Sequence, residues 1–395
     1  MKVLILGGGY AGVTAALRLA HRARGRAQVT LVNATDRFVE RIRLHERAAG
    51  RTPKVRSIAS FLRGSGAQLA VGHVSAVDVE ARTVRLDDDR VLSWDRLVVA
   101  LGSRTAMSTP GAREHAISLD PAGAESLAAR LPSLAARRAR IVVVGGGLTG
   151  IEAATEIAEA WPELRVTLLT QSIVGAGLSE AARRHFARAL ERLGVDVVAN
   201  APAVHVLRDE VVTGDGVVPF DACVWAVGFE GAPLPPGLAL ERNARGRVLV
   251  DPFLRALGST VIYVAGDLAM LAAPPAIPVP MGCKSAGPSG AHVADNLLRE
   301  LASRSLREFD FAAPLYCASL GRRDGVVQCT RADGALQGPV ISGRPAAWIK
   351  ELICKMTMFA FTLEQYGLAS YGVFRAGNLP VLAAKDASLG SALRS

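Results

Sequence analysis

A glycine-rich loop occurs twice in this chain and constrains the fold more than any other feature. GGGYAG follows an apolar run that ends at Leu6, and GGGLTG follows a second apolar run that ends at Val144. An alanine-rich segment with helical periodicity follows each loop, which is the strand, turn and helix setting in which GxGxxG binds a dinucleotide. The two copies predict two bound dinucleotides, each with its pyrophosphate at a helix N-terminus. The motif glycines are Gly7, Gly9 and Gly12, and then Gly145, Gly147 and Gly150.

Composition limits the class of protein. The chain has 395 residues, of which 50% are hydrophobic and 21% charged, which is typical of a globular protein with two or three domains. The net charge of +10 comes largely from arginines that are scattered along the chain. Because nucleic-acid binding usually requires basic residues clustered on one face, we do not expect a nucleic-acid partner.

Cysteine spacing and the absence of long apolar runs indicate the compartment. The five cysteines form neither a CxxC pair nor a metal-ligand spacing, so we expect reduced thiols and no metal site. The first predicted strand begins at Lys2, which leaves no room for a secretory signal. No apolar run approaches the roughly 20 residues that span a bilayer. We therefore expect a cytoplasmic protein that does not cross a membrane.

A charged segment, FVERIRLHERAAG, departs from strand periodicity after the second predicted strand. It brings together Glu40, Arg41, Arg43 and His45. A solvated charged helix and part of a functional site both fit this composition. The next stretch, from Leu69 to Ser103, alternates over short distances and predicts a β-meander that returns to the sheet.

The second half of the chain contains three further informative segments. VIYVAGDLA predicts a buried strand that releases Asp267 into a loop just after a glycine. YCASLGRRDGVVQC predicts a short β region, and a helical stretch follows from Ala346. Its apolar residues predict one face that either packs internally, joins a homodimer or lies on a membrane. They are Trp348, Ile349, Leu352, Ile353, Met356, Phe359, Ala360 and Leu363, with Lys350 and Lys355 placed elsewhere on the helix.

Six segments, in this order, resemble those of the two-dinucleotide-binding-domain flavoproteins. They are GGGYAG, LVVALG, GGGLTGIE, VWAVGF, VIYVAGD and SLGRRDGVVQ. Within the pyridine nucleotide-disulfide oxidoreductase superfamily, the chain resembles the type II NADH dehydrogenases and the ferroptosis suppressor protein. The resemblance implies an α/β fold with two Rossmann-like domains, in which an inserted NAD(P)H domain (111–235) interrupts an FAD domain (1–110 and 236–312). Residues 313–395 would form a smaller C-terminal α+β region.

The resemblance also assigns roles to individual residues. The first glycine set would hold the FAD pyrophosphate, Asn33 the adenosine ribose and Asp267 the ribityl chain or flavin phosphate region. Glu152 would lie near the nicotinamide of NADH or NADPH and act, with Lys284, as a catalytic residue. The remaining residues in the expected cofactor-binding set are Arg43 and Gly102, and Gly228 beside the second glycine set.

Lys284 carries a separate hypothesis about the charge of reduced flavin. Pro288 suits the first turn of a helix whose positive end would face the flavin, and Lys284 just before that turn would add a full charge. A solvent-facing lysine is the other interpretation. Replacing Lys284 with alanine should lower the flavin reduction potential if the first interpretation holds.

Several residues depart from the pattern of the family. Disulfide reductases carry a redox CxxxxC pair after the first helix, whereas this chain has no cysteine before Cys223. The quinone-reducing enzymes have paired glutamines where this chain has Pro288 and Ser289. The second strand of the NAD(P)H domain ends in Thr170 without an acid, so NADPH should be tolerated or preferred, with Arg183 or Arg184 as phosphate partners.

Three functions remain open from the residues alone. The first is an FAD-dependent NAD(P)H oxidoreductase that passes electrons to a quinone or similar acceptor, either in the cytoplasm or peripherally on the cytoplasmic membrane face through the 346–363 helix. The second is a flavin-dependent oxidase or dehydrogenase that acts on a small metabolite, with FVERIRLHE and Lys284 lining its pocket. The third is a flavin-bearing sensor or interaction protein. Both intact glycine sets favour the first.

Overall fold

The computed structural model describes residues 1–52, 54–272, 279–331 and 334–368, together with Tyr371 and Phe374. The strands are β1 (Lys2–Leu6), β2 (Gln28–Asn33), β3 (Arg37–Phe38), β4 (Arg56–Ser57), β5 (Gln68–Val71), β6 (Val74–Asp78), β7 (Thr83–Leu86), β8 (Val91–Ser93), β9 (Arg96–Val99), β10 (Ser103–Thr105), β11 (Ala116–Ser118), β12 (Arg140–Val144), β13 (Arg165–Leu169), β14 (Val195–Val198), β15 (Ala203–Val206), β16 (Glu210–Thr213), β17 (Gly216–Pro219), β18 (Ala222–Trp225), β19 (Phe229–Gly231), β20 (Val248–Val250), β21 (Ile262–Val264), β22 (Ala269–Leu271), β23 (Leu315–Ser319), β24 (Gly325–Thr330) and β25 (Leu336–Ser342). The α-helices are α1 (Tyr10–Ala23), α2 (Leu44–Ala48), α3 (Ile58–Leu62), α4 (Ala112–His115), α5 (Pro121–Ala136), α6 (Leu148–Ala160), α7 (Glu180–Arg192), α8 (Cys283–Leu301) and α9 (Arg344–Gln365).

The first glycine loop belongs to a five-stranded parallel sheet. Its strand order is β21-β9-β1-β2-β5, and every pair in it is parallel. Because helices cover both faces of such a sheet, its strands are near-continuous apolar runs, as LVV in β9 and IYV in β21 illustrate. Strand β21 joins this sheet only after the chain has completed a second sheet, so the second unit is inserted into the first.

The inserted unit is a second five-stranded parallel sheet, in the order β11-β18-β12-β13-β14. Strands β10 and β19 pair antiparallel and mark where the chain enters and leaves the insertion. Each large sheet has a three-stranded antiparallel companion, β6-β7-β8 or β15-β16-β17. The expected α/β fold with two Rossmann-like domains is therefore confirmed, and so is the β-meander.

The chain after Ala313 forms the expected β region and helix. Strands β23, β24 and β25 make an antiparallel sheet, and α9 packs against it and against α1. Lys350 lies away from the apolar stripe that begins at Trp348, as expected, but the face on which it lies is the buried one. Lys350 is buried, whereas Trp348 is 81% exposed.

Two different faces of α9 explain this difference. The inward face has the spacing of four, four, four, three and three residues that keeps side chains on one side of a helix. It comprises Ala346, Lys350, Cys354, Met358, Phe361 and Glu364. The buried carboxylate of Glu364 accepts hydrogen bonds from Nε (3.0 Å) and Nη2 (2.6 Å) of Arg18 in α1. Hydrophobic periodicity identified the outward stripe, but the inward face makes the contacts.

Helix α8 begins at Cys283, so Pro288 lies inside the helix and not in its first turn. The expectation for Pro288 was therefore wrong. Proline at this position removes only the hydrogen bond to the carbonyl of Lys284, which is near the helix start. Gly282, with φ +139°, provides the sharp entry into the helix. The positive end of α8 consequently lies at Cys283 and Lys284.

Candidate functional site

The first glycine loop has the shape that a pyrophosphate requires. Gly7 has φ +107°, and a β-carbon there would overlap the carbonyl of Ala100 at the end of the neighbouring strand. A β-carbon on Gly12 would overlap the carbonyl of Gly7, so α1 can approach β1 only with glycine at that position. A β-carbon on Gly9 would meet no atom within 4 Å. The second glycine therefore faces open space at the N-terminus of α1, where a phosphate would lie.

The second loop repeats this geometry. Gly145 has φ +125° and lies against the carbonyl of Ala226, and Gly150 lies against the carbonyl of Gly145. A β-carbon on Gly147 would again meet nothing within 4 Å. The two loops therefore share one construction, in which two glycines satisfy the protein fold and the middle glycine leaves room for a ligand.

Asn33 supports the first loop from the end of β2. Its Oδ1 accepts a hydrogen bond from the backbone N–H of Gly8 (2.8 Å), and its Nδ2 donates to the carbonyl of Thr35 (2.8 Å). Both ends of the amide therefore have partners within the chain. The ribose contact expected for Asn33 stays a prediction.

Asp267 lies where three elements of the first domain meet. One carboxylate oxygen accepts a hydrogen bond from Oγ of Ser103 (2.7 Å), and the other accepts one from the N–H of Gly282 (2.6 Å), which precedes α8. The carboxylate thus joins the start of β10 and the segment after β21 to the N-terminus of α8. Together with the open space at Gly9, this arrangement fits an FAD that extends along the carboxyl edge of the sheet.

Gly102 and Gly228 flank the two strands that connect the domains. Both have left-handed backbone conformations, with φ of +74° and +62°. Gly102 accepts a hydrogen bond from Ala232 (3.1 Å), and Gly228 accepts one from Ala106 (3.3 Å). These glycines therefore shape the passage between the domains, and their contact with a cofactor stays a prediction.

Glu152 forms a buried ion pair with Lys350. The Nζ atom of Lys350 lies 3.0 Å from Oε1 of Glu152, and the side chain of each is about 10% exposed. Ser319 donates to the same Oε1 from its backbone N–H (3.0 Å) and from its hydroxyl (3.2 Å). Nδ1 of His45 lies 3.9 Å from Oε2. Helices α2, α6 and α9 and strand β23 all contribute to this cluster.

The charges of this cluster support one another. Burial raises the pKa of Glu152, but Lys350, His45 and the Ser319 N–H outweigh it, so the net pKa is lowered. Burial lowers the pKa of Lys350, but Glu152 outweighs it, so the net pKa is raised well above the usual range. Both groups are therefore held in their charged forms.

Lys284 lies beside this cluster, at the start of α8. Its Nζ is 4.1 Å from the centre of the Tyr316 ring, a cation-π contact, and burial lowers the pKa of the lysine. Burial raises the pKa of the neighbouring Cys283 to about 11, and it also raises the pKa of Cys317. Neither cysteine is held as a thiolate. Lys284 is thus partly buried, and its contact with flavin stays a prediction.

Arg43 is enclosed by carboxylates. Its guanidinium contacts Glu40 (3.3 Å), Glu46 (2.7 Å) and Glu351 (2.9 Å), and its side chain is 11% exposed. The charged residues of FVERIRLHE therefore pair largely with one another and with α9. A structural role accounts for Arg43, and its expected cofactor contact stays a prediction.

The sequence analysis missed Lys350, Ser319 and the partnership of His45 with Glu152. A signal for Lys350 was present, because it stands four residues from Ala346 and from Cys354. A lysine in phase with small and apolar residues on a helix indicates a buried charge. Ser319 carries no such signal, since nothing in its local sequence distinguishes it from other strand serines.

Known proteins share this architecture. The type II NADH:quinone oxidoreductase of Staphylococcus aureus is 29% identical over 402 residues, which cover 93% of this chain and 97% of that protein. An NADH dehydrogenase-like protein of Mycobacterium tuberculosis is 28% identical over 383 residues, which cover 89% and 92%. Both relatives therefore align with the chain along nearly all of their length.

Two solved structures have the same fold. The sulfide:quinone oxidoreductase of Aquifex aeolicus superposes with a TM-score of 0.78 at 19% identity, covering 94% of this chain and 93% of that one. NDH2 of Plasmodium falciparum, solved in complex with NADH, gives 0.75 at 14% identity, covering 94% and 98%.

A sequence profile identifies the family. The profile of the pyridine nucleotide-disulphide oxidoreductases matches residues 1–295, which include both glycine loops, Glu152 and Asp267. This chain, with its two dinucleotide-binding domains, belongs to the pyridine nucleotide-disulphide oxidoreductase family of enzymes.

Proposed function

We propose that this protein is an FAD-dependent NADH:quinone oxidoreductase. The observation that carries the proposal is the buried ion pair between Glu152 and Lys350. It joins the helix that follows the second glycine loop to the C-terminal helix, next to the positive end of α8. The names of the aligned relatives, which include NADH:quinone oxidoreductases, agree with this function.

The residues of the first domain would hold FAD and those of the second would hold the nicotinamide coenzyme. A bound FAD would supply the two-electron chemistry that connects a hydride donor to an electron acceptor. Gly9 and Gly147 leave room for the two pyrophosphates, and Asp267 accepts hydrogen bonds at the edge of the first sheet. The protein provides position and charge around this chemistry.

Lys350 and Glu152 would assist the reduction of the electron acceptor. Reduction of a quinone to a quinol adds two protons as well as two electrons, and the ammonium group of Lys350, held charged by Glu152, would donate a hydrogen bond to the quinone oxygen and stabilise the negative charge that forms there. Lys284, at the start of α8, would add a second positive charge near the site, and burial lowers its pKa. The missing glutamine pair, at Pro288 and Ser289, is compatible with this role because these side chains are buried within α8.

The outward face of α9 supports peripheral contact with a membrane, where hydrophobic quinones dissolve. Trp348, Leu352, Met356 and Phe359 are exposed on this face, and Lys355 beside them is also exposed. Among the described residues, no helix is long and apolar enough to cross a bilayer. An interfacial helix is the mode of membrane contact that these features favour.

The proposed function is tested by separating the two half-reactions in an anaerobic stopped-flow instrument. NADH should bleach the flavin absorbance, and a soluble quinone such as menadione should restore it. K350M should keep rapid bleaching but slow the quinone step by about 100-fold, in the range expected for loss of one fixed donor that stabilises developing negative charge. K355M, which removes an exposed lysine from the same helix, should behave as the wild type. Failure of quinone to reoxidise the wild-type protein would refute the proposal.

A further inference from the structure

Arg247 is a buried arginine whose guanidinium contacts no carboxylate among the described residues. It immediately precedes β20 and is 9% exposed. Its Nε donates to the backbone carbonyl of Asp267 (2.9 Å), its Nη2 donates to the carbonyl of Ala269, and its Nη1 lies 3.4 Å from Sδ of Met270. None of these three partner groups is charged. Because burying a charge without an ion-pair partner is costly, these contacts indicate a purpose other than charge pairing.

The two carbonyls that Arg247 contacts belong to the turn that carries Asp267. Residues Gly266–Leu268 form a short 3₁₀ turn, and Ala269 begins β22 directly after it. Gly266 enters the turn with φ +73°. A guanidinium is a planar fork with donors in a fixed geometry, so one arginine can hold two carbonyls in one relative orientation. Arg247 therefore fixes the backbone of the turn around Asp267.

A tight loop fixes the backbone of Arg247 itself. Oδ1 of Asn243 accepts hydrogen bonds from the N–H of Arg245 (3.0 Å) and from the N–H of Arg247 (2.9 Å). The N–H of Asn243 donates in turn to the carbonyl of Arg247 (2.9 Å). The carbonyl of Gly246 packs against β19, where a β-carbon on Gly231 would overlap it. The guanidinium thus reaches the Asp267 turn from a backbone that hydrogen bonds and packing already hold.

The orientation of this turn determines where the carboxylate of Asp267 points. The carboxylate accepts hydrogen bonds from Oγ of Ser103 (2.7 Å) and from the N–H of Gly282 (2.6 Å). A carboxylate has about four acceptor positions, so these two bonds leave others for a hydroxyl group of a ligand. A displaced turn would move the carboxylate relative to Gly9, beside which the pyrophosphate of FAD would lie.

We infer that Arg247 is a positioning residue for FAD, because its guanidinium holds the turn from which Asp267 presents its carboxylate. The inference rests on the proposed function, since it assumes that the first domain binds FAD. Arg247 acts through Asp267 and needs no contact with the cofactor. Without the guanidinium, the turn can adopt other orientations, and FAD binding must then select the competent one. Binding weakens by the fraction of molecules in which the turn is competent.

The experiment measures FAD affinity in the wild type and in the variants R247M and R247K. Each protein is purified with FAD bound and diluted, and the rise in fluorescence of free FAD reports its release. Titration of the FAD-free protein with FAD then gives the Kd. The matched control is R245M, which removes an exposed arginine from the same loop.

R247M should raise the Kd for FAD by about tenfold, as expected if the competent turn falls to about one molecule in ten. R247K keeps the charge but lacks the planar fork that binds both carbonyls, so it should raise the Kd by about threefold. R245M should stay within about twofold of the wild type, as is usual for a surface substitution. Wild-type affinity in both R247M and R247K would overturn the inference. A wild-type protein that binds no FAD would refute the proposed function instead.

A double-mutant cycle with D267A separates positioning from a general effect on the fold. D267A alone should weaken FAD binding, and adding R247M should then cost less than about a further twofold, because the carboxylate that Arg247 positions is already absent. A full tenfold loss in the D267A background would show that Arg247 acts independently of Asp267, and the inference would be rejected. If far-UV circular dichroism shows that R247M does not fold, R247K takes its place in the cycle, and its loss should likewise disappear with D267A.

Discussion

Nζ of Lys350 lies 3.0 Å from Oε1 of Glu152, although the two residues belong to a C-terminal helix and to the inserted domain. This contact makes α9 part of the same site as the second glycine loop. Glu351, the next residue of α9, contacts Arg43 of the first domain at 2.9 Å. One turn of α9 therefore holds both dinucleotide-binding domains through charged contacts.

The contribution of the buried Glu152–Lys350 pair to the free energy of unfolding can be measured with single and double variants. K350M should lower the free energy of unfolding by about 3–5 kcal/mol, because it leaves the Glu152 charge buried and unpaired. The double variant E152Q/K350M should recover most of that loss, since neither charge then remains. Denaturant titration at neutral pH measures both. Equal losses in the single and double variants would show that packing, and not charge, dominates.

The pH dependence of the free energy of unfolding gives a second test of the Glu152–Lys350 pair. The pKa of Glu152 is lowered on folding, so its contribution is present above the unfolded value of about 4.3 and is lost as pH falls through the folded value. The pKa of Lys350 is raised, so its contribution is present below about 10.4 and is lost as pH rises through the folded value. Between these pH limits, the difference in free energy of unfolding between the wild type and the E152Q/K350M variant should be constant.

The glycine loops predict that neighbouring substitutions will have different effects. Gly147 has φ −74° and open space at its β-carbon position, so G147A should fold normally and raise the KM for NADH by about tenfold, equivalent to ~1.4 kcal/mol. G150A should lower the free energy of unfolding by about 1–3 kcal/mol, because its β-carbon overlaps the Gly145 carbonyl. Thermal unfolding and steady-state kinetics separate the two. An unchanged KM in G147A would mean that the coenzyme lies elsewhere.

We expect Thr170, the residue that follows β13, to determine the choice between NADH and NADPH. Thr170 is buried, and its side chain lies where a β-carbon on Gly146 would stand. Because no carboxylate is present there to repel a 2′-phosphate, kcat/KM for NADPH should be within about tenfold of that for NADH. T170E should lower the NADPH value by at least about tenfold, and T170V should leave the ratio unchanged. A strong preference of the wild type for NADH would place discrimination at another residue.

The partners first expected for that phosphate are engaged within the protein. Arg184 pairs with Glu180, and Nη1 of Arg183 donates to the carbonyl of Leu178 at 3.0 Å. Tolerance of NADPH thus depends on the missing acid more than on a dedicated cation. R184Q should therefore change the coenzyme ratio less than T170E does.

Lys284 should raise the reduction potential of bound FAD. K284A removes a positive charge at the N-terminus of α8 and should lower the two-electron potential by about 30 mV, a tenfold change in the equilibrium constant. K355A, which removes an exposed lysine of α9, should leave the potential unchanged. Equilibration with a redox dye gives the value. Identical potentials in the wild type, K284A and K355A would show that Lys284 does not influence the flavin.

Membrane contact can be measured with lipid vesicles of mixed neutral and anionic composition. The double variant W348S/F359S should reduce co-sedimentation by at least about fivefold, because it removes two large apolar side chains from the exposed face of α9. V217S, at a residue that is 53% exposed in β17, is the matched control. Loss of dimers in place of loss of vesicle binding would identify a second copy of the chain as the occupant of this face.

The sequence predicted those features that depend on local patterns. Each glycine spacing fixed a turn, a helix start and a close helix-strand contact, and the buried strands are apolar throughout, so both sheets followed from the sequence. The orientation of α9 did not, because its outward stripe is as periodic as its inward face, and periodicity alone does not identify the packed side. The joining of His45, Ser319, Glu152 and Lys350 depends on contacts between distant segments, which no local pattern encodes.

The family profile ends at residue 295, whereas Lys350 and the exposed face of α9 lie beyond it. The glycine loops that would hold the two nucleotides and the helix that we propose to face the acceptor therefore occupy separate stretches of the chain. If the acceptor approaches at the outer side of α9, as we propose, substitutions there change its surroundings and leave the inward ion pairs intact. Under that arrangement, the acceptor of such an enzyme could be exchanged in evolution while its coenzyme half stays the same.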